Sequence, residues 1–379
     1  MRIGIDCHTV GSQVGGNESY AFHLVRALAR IDTRNEYRLY VTKPSPEVTA
    51  MMAGAGANLT LVPIRPHHPF IRIPLSLPLE LRRHPVDVLL VQYISPPFGR
   101  TPVVNMVHDL TVLTQPQFFP KPEVWRQRLL LAPSIRRAAR VLTDSEYSRD
   151  EIVRLFGTPR ERIVVTYLGV SDHFRPVDGA ERARVLERFH ITTPYILYVG
   201  NIQPRKNLSG LVEAFALLKR SEPLPHRLVI VGRKAWHYGD VFARVRALGL
   251  EADVLVTAYV PRADLPALYS GAAMFVYPSF AEGFGLPPLE AMQCETPVVA
   301  SNRPALPEVV GDAAVLMDPA APADIARAMR AVLHDAGLRA TLVARGRARA
   351  QLYRWEETAR QTLGVFESVS GANAPLRAV

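Results

Sequence analysis

AMFVYPSFAEGFGLPPLE, residues 273–290, reads as a strand, a turn and the start of a helix. Its first seven residues form a short, almost wholly apolar run of the kind found in a strand buried on both faces. Behind it Gly283 and Gly285 allow close backbone approach, and Pro287 and Pro288 suit the first turn of a helix. A strand that hands the chain straight to a helix is the unit from which parallel sheets are built.

The same rhythm extends outward in both directions. The second half carries YILYVG (195–200), RLVIVG (227–232), DVLVTAY (253–259) and PVVAS (297–301). The first half carries RIGID (2–6), YRLYV (37–41), LTLVPI (59–64), VDVLLV (86–91), PVVNMV (102–107), RVLTD (140–144) and RIVVTYL (162–168). Turn residues bound each run and longer segments of helical period separate them, which predicts an α/β protein with helix-covered parallel sheets. DHFRPVDGA (172–180), polar and without period, divides the two series and reads as a hinge. The expected domains are therefore 1–175 and 176–352, each doubly wound, with a ligand cleft at the carboxyl ends of both sets of strands. After about residue 320 the chain reads as helical, through 322–351 and then 354–369, where Trp355, Leu363 and Phe366 share one face. The closing piece, 353–379, ends in a tail that reads as frayed.

Composition narrows the function classes. With 379 residues and 48% hydrophobic content the chain has enough apolar material for two ordinary cores, which excludes a disordered or collagen-like protein. Its formal charge is +10, and residues 1–175 hold 22 Lys/Arg against 15 Asp/Glu, so an anionic partner is expected on that half. Cys7 and Cys294 give neither metal-ligand spacing nor a disulfide framework. No apolar stretch approaches the roughly 18 residues of a membrane span, and Ile3–Asp6 enters a strand without signal-peptide features. Together these predict a cytoplasmic protein, with any membrane contact peripheral and at the inner face.

Four segments carry chemistry. In EGFGLPPLE, Glu282 precedes the helix and Glu290 lies in or just beyond its first turn, so both carboxylates can flank one ligand and accept hydrogen bonds from sugar hydroxyls. The helix amides offer an anion site. A Gly-Pro turn with a dipole-favoured glutamate is the plainer reading. In GNIQPRKN (200–207), Arg205 and Lys206 stand where a strand gives way to a helix, and positive charge there opposes the dipole unless an anionic ligand such as a diphosphate is its partner. Only five lysines occur among 45 basic residues, which gives Lys206 more weight than one further arginine. VHDL puts His108 and Asp109 at a strand end, where a histidine either bonds a sugar hydroxyl or holds local structure. GSQVGGNESY (11–20) lacks a complete dinucleotide fingerprint, but Gly15 and Gly16 still permit a phosphate or acceptor to approach.

The whole chain resembles a GT-B glycosyltransferase of family 4, on the paired glutamates of EGFGLPPLE and the Arg-Lys pair of GNIQPRKN. The resemblance implies two Rossmann-like domains facing a central cleft, with a C-terminal helix returning to the N-terminal domain. It implies that Glu282 contacts the donor sugar, Glu290 the nucleotide ribose, Arg205 and Lys206 the pyrophosphate, and His108 an outer sugar hydroxyl. Gly15, Gly16, Gly200, Asn201, Gly283, Phe284, Gly285 and Leu286 complete the donor-binding set. Tyr259, Val260 and Pro261 lie where the family's nucleobase packs. GRKAWHYGD (232–240) resembles a mannosyltransferase-dominated subgroup, which implies GDP-mannose as donor; there Lys234 lines the pocket, and Trp236 either joins it or caps the hydrophobic layer.

The implied reaction is metal-independent, retaining transfer of a hexose from a nucleotide diphosphate sugar to a glycan or lipid-linked saccharide in cell-surface polysaccharide synthesis. No cofactor or metal is expected, and no Asp-x-Asp pair lies at a strand end. The competing readings are a UDP-sugar-dependent enzyme of the same fold, a sugar-nucleotide epimerase, and a non-catalytic sugar or nucleic-acid binder. An epimerase needs further cleft carboxylates, and a nucleic-acid binder needs aromatics among its basic residues. VWRQRLLLAPSIRRAARV (124–141) offers only Trp125, so nucleic acid is not an expected partner. The same segment reads either as an interfacial helix on anionic lipid or as a solvated helix face interrupted by Pro133.

Overall fold

The computed structural model describes residues 1–371 except 13, 14, 55, 193 and 258. It divides into two compact units. The first comprises Met1–Thr114, Lys121–Gly169 and the chain from Arg354, and the second Gln115–Pro120 and Val170–Tyr353.

In the first unit seven parallel strands, β1 (Arg2–Asp6), β2 (Glu36–Val41), β3 (Leu59–Pro63), β4 (Val88–Gln92), β5 (Val103–Met106), β6 (Arg140–Thr143) and β7 (Ile163–Val165), stand in the order β3-β2-β1-β4-β5-β6-β7. The second unit repeats the scheme with β8 (Tyr195–Val199), β9 (Arg227–Val231), β10 (Val254–Thr257), β11 (Met274–Tyr277), β12 (Val298–Ser301) and β13 (Ala314–Met317), ordered β10-β9-β8-β11-β12-β13. Each order reverses direction once, between β1 and β4 and between β8 and β11, and ligands of open α/β sheets bind beyond the strands' carboxyl ends at that reversal. Both sheets have helices on their faces, and a strand such as β8 is accordingly buried at all five positions.

All twelve expected runs form strands. The run 314–317 adds a thirteenth, four residues long, at the edge of the second sheet beside β12. The stretch 322–351 is two helices, Pro322–His334 and Ala336–Ala350, because the Asp335 side chain caps the second by accepting from Leu338 N–H at 2.8 Å. The basic stretch 124–141 is not one helix either. Its helix, Lys121–Arg137, carries Pro133 internally, and Arg140 already belongs to β6. The polar stretch 172–180 ends in the Asp178 cap of a helix, Gly179–Arg188.

The closing helix, Trp355–Gly371, packs on Gly16–Ile31 within the first unit and buries Trp355, Leu363 and Phe366. Thr358 Oγ1 ties it down by donating to Tyr167 O at 2.6 Å. Among the described residues no helix is long and apolar enough to cross a membrane.

Candidate active site

The second unit's reversal brings together the loops that leave β8 and β11, and these hold the two most specific motifs. Gly200, with φ 152°, lets the chain turn at the end of β8, where its carbonyl lies so close to Gly232 that a side chain at Gly232 would collide with it. Asn201 follows, and Tyr198 donates its hydroxyl to the Asn201 carbonyl at 3.4 Å. A single 3-10 turn, Pro204–Lys206, then aims two cations at Glu282.

Arg205 Nη1 donates to Glu282 Oε2 at 2.8 Å and to Ala281 O at 2.5 Å. Lys206 Nζ donates to Glu282 Oε1 at 2.6 Å and to the Tyr277 hydroxyl at 2.7 Å, and lies 4.9 Å from the Tyr277 ring centre. All three charged side chains are nearly buried, and together they carry one net positive charge. Burial disfavours the Glu282 carboxylate, but the Arg205 and Lys206 charges outweigh it and hold its pKa at about 2. Burial pushes the Tyr277 phenol up, so it stays protonated and keeps two roles as donor and acceptor.

The turn Gly283–Leu286 leads from Glu282 into the helix Leu286–Gln293. Gly285 is its N-cap at φ 105°, and a side chain there would strike Leu306. Phe284 is buried edge-on against Tyr353, at 5.5 Å between ring centres. Pro287 and Pro288 have no N–H, so this helix start presents fewer amides to an anion than the motif alone implies. Glu290, on the same helix, accepts from the Tyr269 hydroxyl at 3.1 Å and lies 3.9 Å from Arg262. Burial raises its pKa against the pull of Arg262 and Tyr269.

The residues expected to line the nucleobase and sugar pocket differ in their surroundings. Val260 is buried, whereas Tyr259 is half exposed with the Arg233 guanidinium 5.9 Å from its ring centre. Lys234 is exposed, its ammonium 4.7 Å from the Phe242 ring centre and 5.4 Å from that of Tyr238. Trp236 Nε1 donates to Phe118 O at 2.6 Å, and its ring meets Phe119 at 5.7 Å. Phe118 in turn stacks on Phe280, whose N–H donates to Arg205 O at 2.9 Å. Trp236 thus caps a hydrophobic layer built with the Gln115–Pro120 segment.

In the first unit His108 follows β5 and stands between its two neighbouring strands. Its Nδ1 meets Asp144 Oδ2, just past β6, at 2.7 Å, and its Nε2 meets Gln92 Oε1, at the end of β4, at 2.9 Å. The Tyr20 ring packs edge-on against the imidazole. Both ring nitrogens are engaged, which fixes the ring's orientation. Burial raises the Asp144 pKa against the pull of His108. Asp109 has a local duty, its Oδ1 accepting from Thr111 N–H at 2.8 Å at the start of a short helix. Gly15 is the N-cap of Gly16–Ile31, and the space above Gly16 is open. The preceding Gln13 and Val14 lie outside the described residues.

The structure therefore joins Arg205, Lys206 and Glu282 directly, keeps Gly200, Asn201 and Gly283–Leu286 in the loops that carry them, and gives Glu290 partners of its own. Sequence reasoning missed Tyr277, Tyr269, Arg262, Asp144 and Gln92. Tyr277, Gln92 and Asp144 share one legible signal, a polar residue closing an apolar strand run. Tyr269 and Arg262 have no such mark. Among the described residues no group of three or more His, Cys, Asp or Glu side chains is placed to hold a metal ion.

Comparison with known proteins shows the family. Residues 14–174 match the family described as Glycosyltransferase Family 4, and residues 182–349 match Glycosyl transferases group 1. O-antigen chain mannosyltransferase B of Escherichia coli is 40% identical over 265 residues, 70% of each chain. The serotype-specific mannosyltransferase WbdA of Escherichia coli is 29% identical over 280 residues, 72% of this chain but 34% of that protein, so this chain spans about a third of its length. Among solved structures, sucrose-phosphate synthase from Thermosynechococcus elongatus superposes with a TM-score of 0.78 at 20% identity, covering 98% of this chain and 100% of the other, a likeness of fold.

Proposed function

The chain belongs to the family 4, group 1 glycosyltransferases, and on that premise we propose that it moves a mannosyl group from GDP-mannose to a hydroxyl of a glycan or lipid-linked saccharide. The observation that carries this reading is the Arg205–Lys206–Glu282 triad at the reversal between β8 and β11. Its single net positive charge is held in place before any ligand arrives, so a diphosphate meets preorganised donors instead of recruiting them. The similarity to O-antigen chain mannosyltransferase B supports mannose as the sugar and polysaccharide synthesis as the setting.

As the bond between the sugar C1 and the diphosphate breaks, negative charge grows on the departing oxygen. Arg205 and Lys206 stabilise it, the arginine as a planar fork and the lysine as a compact charge. Glu282, still held by both cations, offers its remaining lone pairs to the sugar hydroxyls, and Glu290 takes the ribose. In the first unit His108, oriented by Asp144 at Nδ1 and Gln92 at Nε2, keeps a ring whose Nε2 can serve a sugar hydroxyl. The acceptor oxygen attacks C1 from the face the diphosphate leaves and passes its proton to the departing diphosphate oxygen, which retains configuration at C1, and the paired cations do the work a metal would otherwise do.

The test is nucleoside diphosphate release from GDP-mannose, UDP-glucose and UDP-N-acetylglucosamine in the presence of a mannoside acceptor, each with and without EDTA, with the anomeric configuration of the new linkage read by NMR. Release from GDP-mannose that survives EDTA and gives an α-linked product is expected. Preference for a UDP-sugar would overturn the donor, loss in EDTA the metal-free chemistry, a β-linked product the retention, and release from no donor the whole reading.

A further inference from the structure

Residues 65–83, RPHHPFIRIPLSLPLELRR, include a continuous helical stretch made of Pro69–Ile71, one π-helical turn at Arg72–Ser76, and Leu77–Arg83. Its inner face is pinned to the first sheet. Arg72 is buried and donates to both carboxylate oxygens of Asp6 at the end of β1, at 2.9 and 2.5 Å, while Leu77 and Leu81 enter a core cluster with Tyr40, Ile64 and Leu89.

The outer face is apolar as well. Phe70 is 71% exposed, Leu75 57%, Leu79 49% and Ile71 40%. Ile71, Leu75 and Leu79 are spaced four apart and so form one stripe. An ordinary surface helix carries polar residues there, and four large apolar side chains exposed within ten positions mark a contact surface. The charge flanking the stripe is mainly positive. Arg65, Arg82 and Arg83 are exposed, and the sole carboxylate between residues 65 and 86, Glu80, is drawn to Arg38 at 3.8 Å and His84 at 3.2 Å.

We propose that this face docks on an anionic lipid surface, with Phe70, Ile71, Leu75 and Leu79 inserted at the headgroup boundary and Arg65, Arg82 and Arg83 against lipid phosphates. An apolar stripe rimmed by arginine matches both halves of such an interface, whereas a protein partner would have to supply a matching acidic rim. The helix Lys121–Arg137 is the weaker candidate. It exposes two large apolar residues, Trp125 and Leu129, and keeps Glu123 on Arg126. The surface deepens the proposed function by naming what holds the enzyme beside a lipid-linked acceptor, and it rests on that reading for its purpose.

Co-sedimentation with vesicles of phosphatidylcholine, alone or with about 30% phosphatidylglycerol, tests it. The full chain is expected to bind only the anionic vesicles and to release them at high salt. Phe70→Ser with Leu75→Ser should weaken binding about tenfold or more. The same double variant should keep the wild-type melting temperature and wild-type GDP release from GDP-mannose in solution. No wild-type binding, unchanged binding by the double variant, or loss only in Trp125→Ser with Leu129→Ser would overturn the assignment. So would a lipid-free dimer that the double variant dissolves, since the occupant would then be a second copy. Loss of GDP release in the wild type tells against the catalytic reading instead, and leaves the vesicle result to be read by itself.

Discussion

Glu282 keeps its charge in a nearly buried site because Arg205 and Lys206 stand against it. Removing that charge leaves two cations facing one another, so Glu282→Gln is expected to cost about 3–5 kcal/mol in urea unfolding. The pH dependence has a definite sign. A carboxyl lowered from 4.5 to about 2 contributes stability that is present above about pH 4.5 and lost as pH falls towards 2. Asp6, whose burial is outweighed by His8 and Arg72, acts in the same direction, whereas the burial-raised Glu290 and Asp144 act in the opposite one. The difference between wild type and Glu282→Gln should therefore shrink between pH 4.5 and pH 2, and a constant difference would remove Glu282 from the ion triad. At this scale the motif residues were legible because charged residues and glycines gather where an apolar strand run gives way to a helix. Their partners were not, because Tyr269 and Arg262 reach Glu290 from another loop and helix.

Elements behave as units around the glycines that close them. Gly285 caps Leu286–Gln293 with a positive φ, and Leu306 fills the space where its side chain would be. Gly285→Ala is thus expected to cost about 1–3 kcal/mol in urea unfolding and to weaken donor affinity as the turn shifts. An alanine tolerated without either change would mean that the turn is not built on this conformation. Helix starts were only partly readable from sequence. Pro287 and Pro288 mark the start correctly, yet they also subtract the N–H groups for which a helix start is usually invoked. β13 was missed because Ala314–Met317 carries a single β-branched residue and no aromatic, a weaker strand signal than the other runs give.

At the scale of the whole molecule, the alternation of runs made both doubly wound sheets legible, since a strand covered on both faces must be apolar throughout. Strand order was not legible, because pairing between distant segments leaves no local mark. Nor was the grouping of Gln115–Pro120 with the second unit, which depends on Phe118 meeting Phe280 and on Trp236 reaching the Phe118 carbonyl. The closing helix completes the first unit's packing through Trp355, Leu363 and Phe366. Phe366→Ala should lower stability by about 3–5 kcal/mol, and a change below 1 kcal/mol would deny that helix its structural role.

Arg205 and Lys206 are proposed as a preorganised diphosphate site. Calorimetric titration of GDP into the wild type and into Lys206→Met tests it most directly, because Glu282 retains Arg205 in the variant and the triad loses one member only. Lost charge-assisted hydrogen bonding predicts GDP affinity reduced about tenfold to a hundredfold in the variant. Equal GDP affinity in the two proteins would exclude Lys206 from a diphosphate site.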